Sequence, residues 1–206
     1  MHEILRNIWT GLTTASPLDQ LNLTLGIVGV WLMIRRTLWA FPIGLVAVSV
    51  QAVLFFRARF YADATLQVFF FVTLAWGWWH WVKARGAAPE LPVTTLNPHG
   101  RALTLVLAAA ATAGWALALR QWTDAVMPWR DAFIAAFSVA AQGLQARKNL
   151  ENWPLWVLVN VVAVASYWRA DLAYTAFLYA VYLVLAFIGW REWRAVMAKQ
   201  NDLPTP

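Results

Sequence analysis

The sequence predicts an all-α membrane protein whose seven transmembrane helices form two parallel repeats of three helices, separated by one connecting helix. Three observations lead to this 3+1+3 arrangement. Apolar residues make up 61% of the 206 residues and charged residues only 13%, and fifteen residues are Trp, which is far from the composition of a soluble domain. The chain contains seven apolar stretches, and its two ends resemble each other when one is shifted by 112 residues.

The first repeat is predicted to contain the helices 21–34, 37–56 and 62–82. About 20 helical residues cross a hydrocarbon core of about 30 Å, so the second and third stretches are long enough and the first is short. Apolar residues run continuously through all three and do not alternate with polar ones. We therefore expect helices rather than barrel strands.

The long connection KARGAAPELPVTTLNPHGR, residues 83–101, contains three Pro and two Gly, which predicts a linker. A connecting helix is predicted at 102–119, and the second repeat at 132–146, 153–168 and 172–190. Because a single helix separates the repeats, both enter the membrane in the same sense, as in transporters built from parallel repeats.

The repeat is supported by matched positions of residue types that mark helix ends and close contacts. A shift of 112 residues without gaps aligns RRTLWAFPIG with RKNLENWPLW and AWGWWHW with FIGWREW. Apolar residues match by composition alone, so the Pro, Gly, Trp and Arg positions carry the argument for duplication. The matched pairs are Arg35 with Arg147, Leu38 with Leu150, Pro42 with Pro154, Arg57 with Arg169, Gly77 with Gly189, Trp78 with Trp190, and Trp81 with Trp193.

Lys and Arg indicate the orientation of the helices in the membrane. The side that holds the N-terminus carries six of them, and the side that holds the linker and the C-terminus carries ten. By the positive-inside rule the N-terminus is outside and the C-terminus is cytoplasmic. The net charge of +6 is divided among these loops, so no nucleic-acid partner is predicted.

Several kinds of chemistry have no support in the sequence. The chain has no Cys and only three scattered His, so no disulfide, thiol catalysis or metal site is predicted. Neither catalytic residues nor a cofactor are predicted, and no nucleotide-binding loop is present. All ten acidic residues lie at helix ends or in loops, which favours facilitated diffusion over coupling to protons or sodium.

The segment ENWPLWVLVN at the start of the sixth predicted helix is the leading candidate for a substrate-binding surface. Trp153, Trp156 and Asn160 are spaced by three and four residues and therefore share a helix face, which Asn152 joins through Trp156. Indole rings stack on flat heteroaromatic rings and attract cations, and an amide both donates and accepts hydrogen bonds. The alternatives are an interfacial aromatic belt for Trp153 and interhelical bonding for Asn160.

Further candidates lie on three other predicted helices. Gln67 aligns with Tyr179 of the second repeat, which places a polar group at equivalent depth in both halves. Packing between helices is the alternative for each of these candidates. The remaining predicted substrate-binding residues are Phe71, Trp76, Gln142 and Tyr182, while Trp78, Trp81, Trp190 and Trp193 are expected to anchor the helices at the cytoplasmic interface.

The stretches ENWPLWVLVNVVAVASYW, LAFIGWREW and YADATLQVFFFVTLAWGWWHW resemble the Pnu (PnuC-type) family of vitamin transporters, best known for nicotinamide riboside. The resemblance implies a SWEET-like seven-helix fold, a homotrimer in the bacterial inner membrane, and facilitated uptake of an unphosphorylated vitamin. It also implies a cytoplasmic kinase that traps the vitamin for NAD biosynthesis. Trp76 stands before Gly77 where the family has Tyr.

Other functions remain as alternatives. Within the same family the substrate could be thiamine or riboflavin, and within the same fold a sugar. A membrane-embedded enzyme is disfavoured because no acid/base pair or nucleophile set meets within the predicted spans. A structural or sensory membrane module is disfavoured because buried amides together with a duplication fit alternating access better.

Overall fold

Eight helices account for nearly all of the computed structural model, which describes residues 2–59, 61–85 and 90–202. Within these ranges the only β-type pairing is an isolated bridge between Thr94 and Asn149, so the all-α prediction is confirmed. The helices are α1 (His2–Thr14), α2 (Pro17–Ile34), α3 (Ala40–Arg57), α4 (Tyr61–Ala84), α5 (Pro98–Trp122), α6 (Pro128–Ala146), α7 (Asn152–Arg169) and α8 (Ala173–Asn201).

Helices α2 to α8 overlap the seven predicted stretches. Helix α8 continues to Asn201, eleven residues beyond the predicted end at residue 190, and three helices start about one turn earlier than predicted. Each of these three begins at a Pro, at Pro17, Pro98 and Pro128, where the missing N–H costs nothing and the fixed φ suits a first helical turn. Ser16 and Asn97 cap α2 and α5 by accepting the backbone N–H groups of Asp19 and Gly100. The prediction followed apolar character, which begins only after these polar first turns.

The sequence did not predict α1. This helix of 13 residues packs against α8, where the ring of Tyr174 covers the Cα of Gly11. It is too short and too polar to be recognised as a membrane span. The linker was predicted at 83–101, and its residues 86–89 lie outside the described ranges.

In the part of the chain that the structure describes, four helices, α2, α3, α5 and α8, are long and apolar enough to cross a membrane. The other three predicted spans, α4, α6 and α7, are helices of 24, 19 and 18 residues and do not meet these conditions of length and apolar character together. In α6 the reason is visible, because ten of its residues are buried against other helices. A helix enclosed by protein need not present an apolar surface to lipid.

Six helices form a closed ring. Helix α2 packs against α3 and α8, α4 packs against α3 and α6, and α7 packs against α6 and α8. Helix α5 packs on α6 from outside this ring. We call the end of the bundle where α2, α4, α6 and α8 end and where α3, α5 and α7 begin the linker end, because the described linker residues, 90–97, lie there.

The helix boundaries repeat along the chain with the spacing found in the sequence. Helices α3 and α7 begin and end 112 residues apart, as do the ends of α2 and α6 and the starts of α4 and α8. Four non-glycine residues of the described ranges have positive φ, and they form two pairs with the same spacing, Arg36 (57°) with Lys148 (61°) and Arg59 (64°) with Asp171 (58°). Few non-glycine residues adopt this conformation, so its recurrence at equivalent positions supports the duplication independently of the sequence match.

Candidate functional site

Four aromatic rings fill the linker end of the bundle. Phe41 meets Trp81 edge-on with 5.0 Å between ring centroids, Trp153 meets Trp193 edge-on at 5.4 Å, and the two central indoles are 6.1 Å apart. Phe41 and Trp153 are equivalent positions of the two repeats, as are Trp81 and Trp193. Each of the four side chains is at most 2% exposed, so this end of the ring is closed by the aromatic residues that both repeats contribute.

Two glycines allow these rings to pack against the helices. A Cβ at Gly189 would overlap the six-membered ring of Trp153, and a Cβ at the equivalent Gly77 would crowd Phe41 and Ala146. The matched Gly positions in the sequence therefore have a steric cause, because only a residue without a side chain lets an aromatic ring approach the helix backbone so closely.

The expectation that all four Trp of the two matched aromatic motifs are interfacial anchors is wrong for Trp81 and Trp193. Their indole N–H groups donate to carbonyls of the opposite repeat: that of Trp81 to Ala146, and that of Trp193 to Met33 and Ile34. Trp78 is 37% exposed and Trp190 is partly buried. The sequence pattern could not separate the two pairs, because Trp near Lys and Arg is also typical of membrane anchors.

The described part of the predicted linker is a packed segment. Thr94 pairs with the loop before α7: its N–H donates to Lys148 O (3.2 Å), its C=O accepts from Leu150 N (2.8 Å), and its hydroxyl oxygen accepts from Asn149 Nδ2 (2.9 Å). The N–H of Leu96 donates to a carboxylate oxygen of Glu151 at 3.1 Å. Glu151, the first residue of ENWPLWVLVN, therefore binds the backbone of the linker.

Glu90 connects the two repeats electrostatically. Its Oε1 accepts from Arg36 Nε at 3.2 Å and from Lys148 Nζ at 2.6 Å, and these two cations occupy equivalent positions. Lys148 is fully buried, and its ammonium also donates to the carbonyl of Leu91. Burial lowers the pKa of Lys148, an effect that the hydrogen bond and charge of Glu90 oppose.

Asn152 and Trp153 lie within the packed linker end. Both are at most 1% exposed, and Asn152 Nδ2 donates to the carbonyl of Asn149 at 2.6 Å. Asn152 Oδ1 and Trp153 Nε1 have no hydrogen-bond partner in the described part of the chain. An unpaired buried polar atom is costly, so both atoms are available to a water molecule or a ligand, and direct contact with substrate stays a prediction for these two residues.

Trp156 and Asn160 lie deeper in the bundle. Asn160 is 5% exposed, and its Nδ2 donates to the carbonyl of Trp156 at 2.7 Å, so its amide bonds its own helix rather than a neighbouring one. Trp156 is partly buried and packs against two separate clusters of buried apolar residues. At 1.5 Å per residue, Asn160 is about 12 Å from the start of α7.

The adjacent helix α6 brings two further polar side chains to the same depths. Ser138 and Gln142 are buried, and they precede the end of α6 by as many residues as Asn160 and Trp156 follow the start of α7. Because α6 and α7 pack together and are joined by five residues, Ser138 lies at the level of Asn160 and Gln142 at the level of Trp156. Indole, amide and hydroxyl groups thus lie at two shared depths on neighbouring helices, a set of groups that suits stacking on a flat polar ring and hydrogen bonding to its substituents.

Other candidates are more dispersed. On α4, Gln67 is buried, whereas Phe71 and Trp76 are about two-fifths exposed. Trp76 stacks on His80 with 5.2 Å between ring centroids, and the guanidinium of Arg147 lies 6.0 Å from its ring. The structure therefore does not bring Phe71 or Trp76 into one cluster with Asn160, although Gln67 faces the protein interior.

The two Tyr candidates on α8 make packing contacts. The ring of Tyr179 stacks on Tyr167 at 5.3 Å, and the hydroxyl of Tyr182 lies against the Cα of Gly26 on α2. Tyr182 thereby joins the two repeats. A ligand role for either residue stays a prediction.

Sequence reasoning missed the cross-repeat role of Lys148, Glu90 and Thr94. One signal was present: Lys148 aligns with Arg36 in the repeat, and a cation kept at equivalent loop positions points to a shared partner. The acid that bridges them lies in the linker, outside both repeats, and no repeat comparison can find it.

Comparisons with known proteins found a family model and related transporters. A family model described as nicotinamide mononucleotide transporter matches residues 16–195. The riboflavin/roseoflavin transporter RibM of Streptomyces davaonensis is 28% identical over 180 residues, covering 85% of this chain and 83% of RibM. The nicotinamide riboside transporter PnuC of Escherichia coli is 27% identical over 175 residues, 73% of each chain.

The fold is also similar to a solved structure. A crystal structure of the vitamin B3 transporter PnuC superposes with a TM-score of 0.75 at 19% identity, covering 95% of this chain and 90% of that one. At this identity the likeness establishes a shared membrane-protein fold.

Proposed function

Because the chain belongs to the nicotinamide mononucleotide transporter family, we propose that it carries an unphosphorylated vitamin with a flat heteroaromatic ring across the bacterial inner membrane. Its family is one of transporters, so the protein is a membrane-embedded transporter and not an enzyme. The observation that carries the proposed substrate class is the buried Asn160, which lies one turn from Trp156 and level with Ser138, while Gln142 lies level with Trp156.

The uncharged character of this region favours a nucleoside or free vitamin over a phosphorylated one. On α6 and α7 the described Lys, Arg, Asp and Glu side chains are confined to the first and last turns. A phosphate at the depth of Asn160 would need a cation there to offset its desolvation. The same absence of deep ionisable groups on these helices supports facilitated diffusion.

Nicotinamide riboside is the first candidate substrate. Its pyridinium ring suits the face of Trp156, an interaction worth about 0.5 to 2 kcal/mol, and its ribose hydroxyls and carboxamide suit Asn160 and Gln142. Riboflavin is the second candidate because of the similarity to RibM, and thiamine and sugars follow. After uptake, phosphorylation by a cytoplasmic kinase would trap the vitamin.

Alternating access would move the two repeats relative to each other. We propose that α2 to α4 and α6 to α8 are parallel repeats related by an axis along the membrane normal, with α5 as the connecting helix. The equivalent helix boundaries, the paired positive-φ residues and the reciprocal Trp contacts support this SWEET-like 3+1+3 arrangement. We further propose a homotrimer with the linker end in the cytoplasm.

Calorimetry on detergent-purified protein, titrated separately with nicotinamide riboside, riboflavin and thiamine, tests the substrate. We expect binding of nicotinamide riboside and no heat from nicotinamide mononucleotide. Heat from riboflavin or thiamine alone would retain the transporter class and refute the proposed substrate. Tighter binding of the phosphorylated compound would refute the argument from the uncharged site.

A further inference from the structure

A cleft of about 650 Å³ opens at the linker end of the first repeat. Its walls come from the end of α2, the start of α3 and the end of α4, and they combine basic and aromatic side chains. The lining residues include Arg35, Arg36, Leu38, Trp39, Trp78, Arg85 and Glu90. The volume is in the range of pockets that hold small organic ligands.

The second repeat fills the equivalent place with protein. There the linker residue Thr94 bonds Lys148 O and Leu150 N, and Lys148 is fully buried. In the first repeat the corresponding groups are the carbonyl of Arg36 and the N–H of Leu38, and neither has a backbone partner within the described ranges. Among the described residues, therefore, no linker segment occupies in the first repeat the place that Thr94 occupies in the second.

The charges of the cleft favour an anion. Glu90 is engaged by Arg36 and Lys148, so its charge is already compensated. Arg35 and Arg85 form no ion pair among the described residues and are exposed. Two exposed guanidiniums that line the same cleft provide forked donors of the kind that bind phosphate oxygens.

The aromatic residues place the cleft at the membrane surface. Trp39 is 71% exposed and directly precedes α3, and Trp78 is 37% exposed and lies six residues before the end of α4. Exposed Trp beside Arg at the ends of membrane helices is typical of the headgroup layer, and basic recesses between such helices bind anionic lipid headgroups.

We propose that this cleft binds a phosphate group through Arg35 and Arg85, and that the source of the phosphate is the headgroup of an anionic phospholipid whose chains lie against Trp39 and α3. The site is separate from the region of Ser138, Gln142, Trp156 and Asn160, here called the Asn160 region, and it does not depend on which vitamin is carried. A soluble phosphate ester offers the same chemistry without the acyl chains.

Native mass spectrometry of the detergent-purified protein, titrated with phosphatidylglycerol or phosphatidylcholine, tests the proposal. The double variant Arg35→Gln/Arg85→Gln is compared with Arg147→Gln/Arg194→Gln, which removes the same charge from exposed positions at the same end of the bundle. We expect about a 30-fold weaker affinity for phosphatidylglycerol in the first variant, corresponding to about 1 kcal/mol for each Arg, and less than a twofold change in the second. Nicotinamide riboside binding should be unchanged in both, because neither pair touches the Asn160 region.

Three results would contradict the proposal. Equal binding of the two lipids by the wild type would refute recognition of a net anionic headgroup. Equal loss in both double variants would show a general charge effect and no specific site. Binding of glycerol phosphate as tight as that of phosphatidylglycerol would refute the lipid as the source.

Discussion

Trp81 and Trp193 form a reciprocal pair at the linker end of the bundle. The indole N–H of Trp81 donates to Ala146 O at 3.0 Å, and that of Trp193 donates to Ile34 O at 3.2 Å. Ala146 and Ile34 are the last residues of α6 and α2, whose final carbonyls have no partner within their own helix. Each repeat thus caps the first helix of the other, and the pair must separate if this end of the ring opens.

Replacement of both donors should destabilise the protein. In Trp81→Phe/Trp193→Phe the aromatic packing is largely kept but two buried carbonyls lose their donors, at a cost of about 1 to 3 kcal/mol each. We expect a lower unfolding temperature in detergent than for the control Trp78→Phe/Trp79→Phe, whose indoles are exposed. Equal unfolding temperatures would show that the cross-repeat hydrogen bonds contribute no net stability.

Gly189→Ala should destabilise the protein by about 1 to 3 kcal/mol, because its Cβ would overlap the buried ring of Trp153. Gly114→Ala is the matched control, since a Cβ there meets nothing within 4 Å, and it should stabilise α5 by up to about 1 kcal/mol. Unfolding followed by intrinsic fluorescence distinguishes the two. A stabilised Gly189→Ala variant would contradict the packing of Trp153.

Asn160→Leu should leave a folded, membrane-inserted protein and weaken vitamin binding at least tenfold. The amide donates only within its own helix, so its removal breaks no described interhelical bond. A bound ligand, in contrast, would lose a hydrogen bond worth about 1.5 kcal/mol or less and would also meet a bulkier apolar side chain. Calorimetry measures the effect. The control is Val161→Leu, at a position 45% exposed on the same helix, and equal affinities in the two variants would exclude Asn160 from the binding site.

Glu90→Gln should lower stability because it removes the carboxylate from a fully buried Lys148. Loss of one partner of a buried ion pair typically costs about 3 to 5 kcal/mol, and the partial exposure of Glu90 reduces this expectation. Thermal unfolding in detergent measures the loss. Arg101→Gln, which breaks the more exposed pair with Glu151, should have a smaller effect.

The pH dependence of stability should reveal the buried Lys148. Its pKa in the folded protein is below the ordinary value of 10.5 because of burial, so the unfolded chain binds this proton more tightly. Between the two values, stability should therefore rise with pH. We expect this rise in the wild type and its loss in Lys148→Met, with unfolding temperatures of both measured from pH 7 to 10. The same slope in both proteins would contradict the lowered pKa.

A cytoplasmic reporter fused after Pro206 should be active, and one fused to the N-terminus should be inactive. The ten Lys and Arg on the linker side against six on the other motivate this expectation. Activity of the N-terminal fusion alone would reverse the orientation.

The sequence by itself determined the helical class, the positions of seven helices, the spacing of the repeat and the family resemblance. Each of these features depends on residues that are close in the chain or repeat at a fixed spacing. Apolar stretches determine the helices, Pro and polar caps determine where helices start, and Gly, Trp and Arg at a constant spacing indicate the duplication. The segment ENWPLWVLVN was identified as distinctive from the same local signals.

Only the tertiary structure decided which of these residues face the protein and what they bond. Sequence spacing places Trp78 and Trp81 equally well at a membrane surface, yet one is 37% exposed and the other 2%, because only Trp81 points toward the opposite repeat. Glu151, Asn152 and Trp153 likewise belong to the packed linker end, while Trp156 and Asn160 reach the interior. The physical reason is that membrane composition makes nearly every helix face apolar, so hydrophobic patterning no longer separates lipid from protein, and contacts between distant segments such as Glu90 and Lys148 leave no periodic signal in the chain.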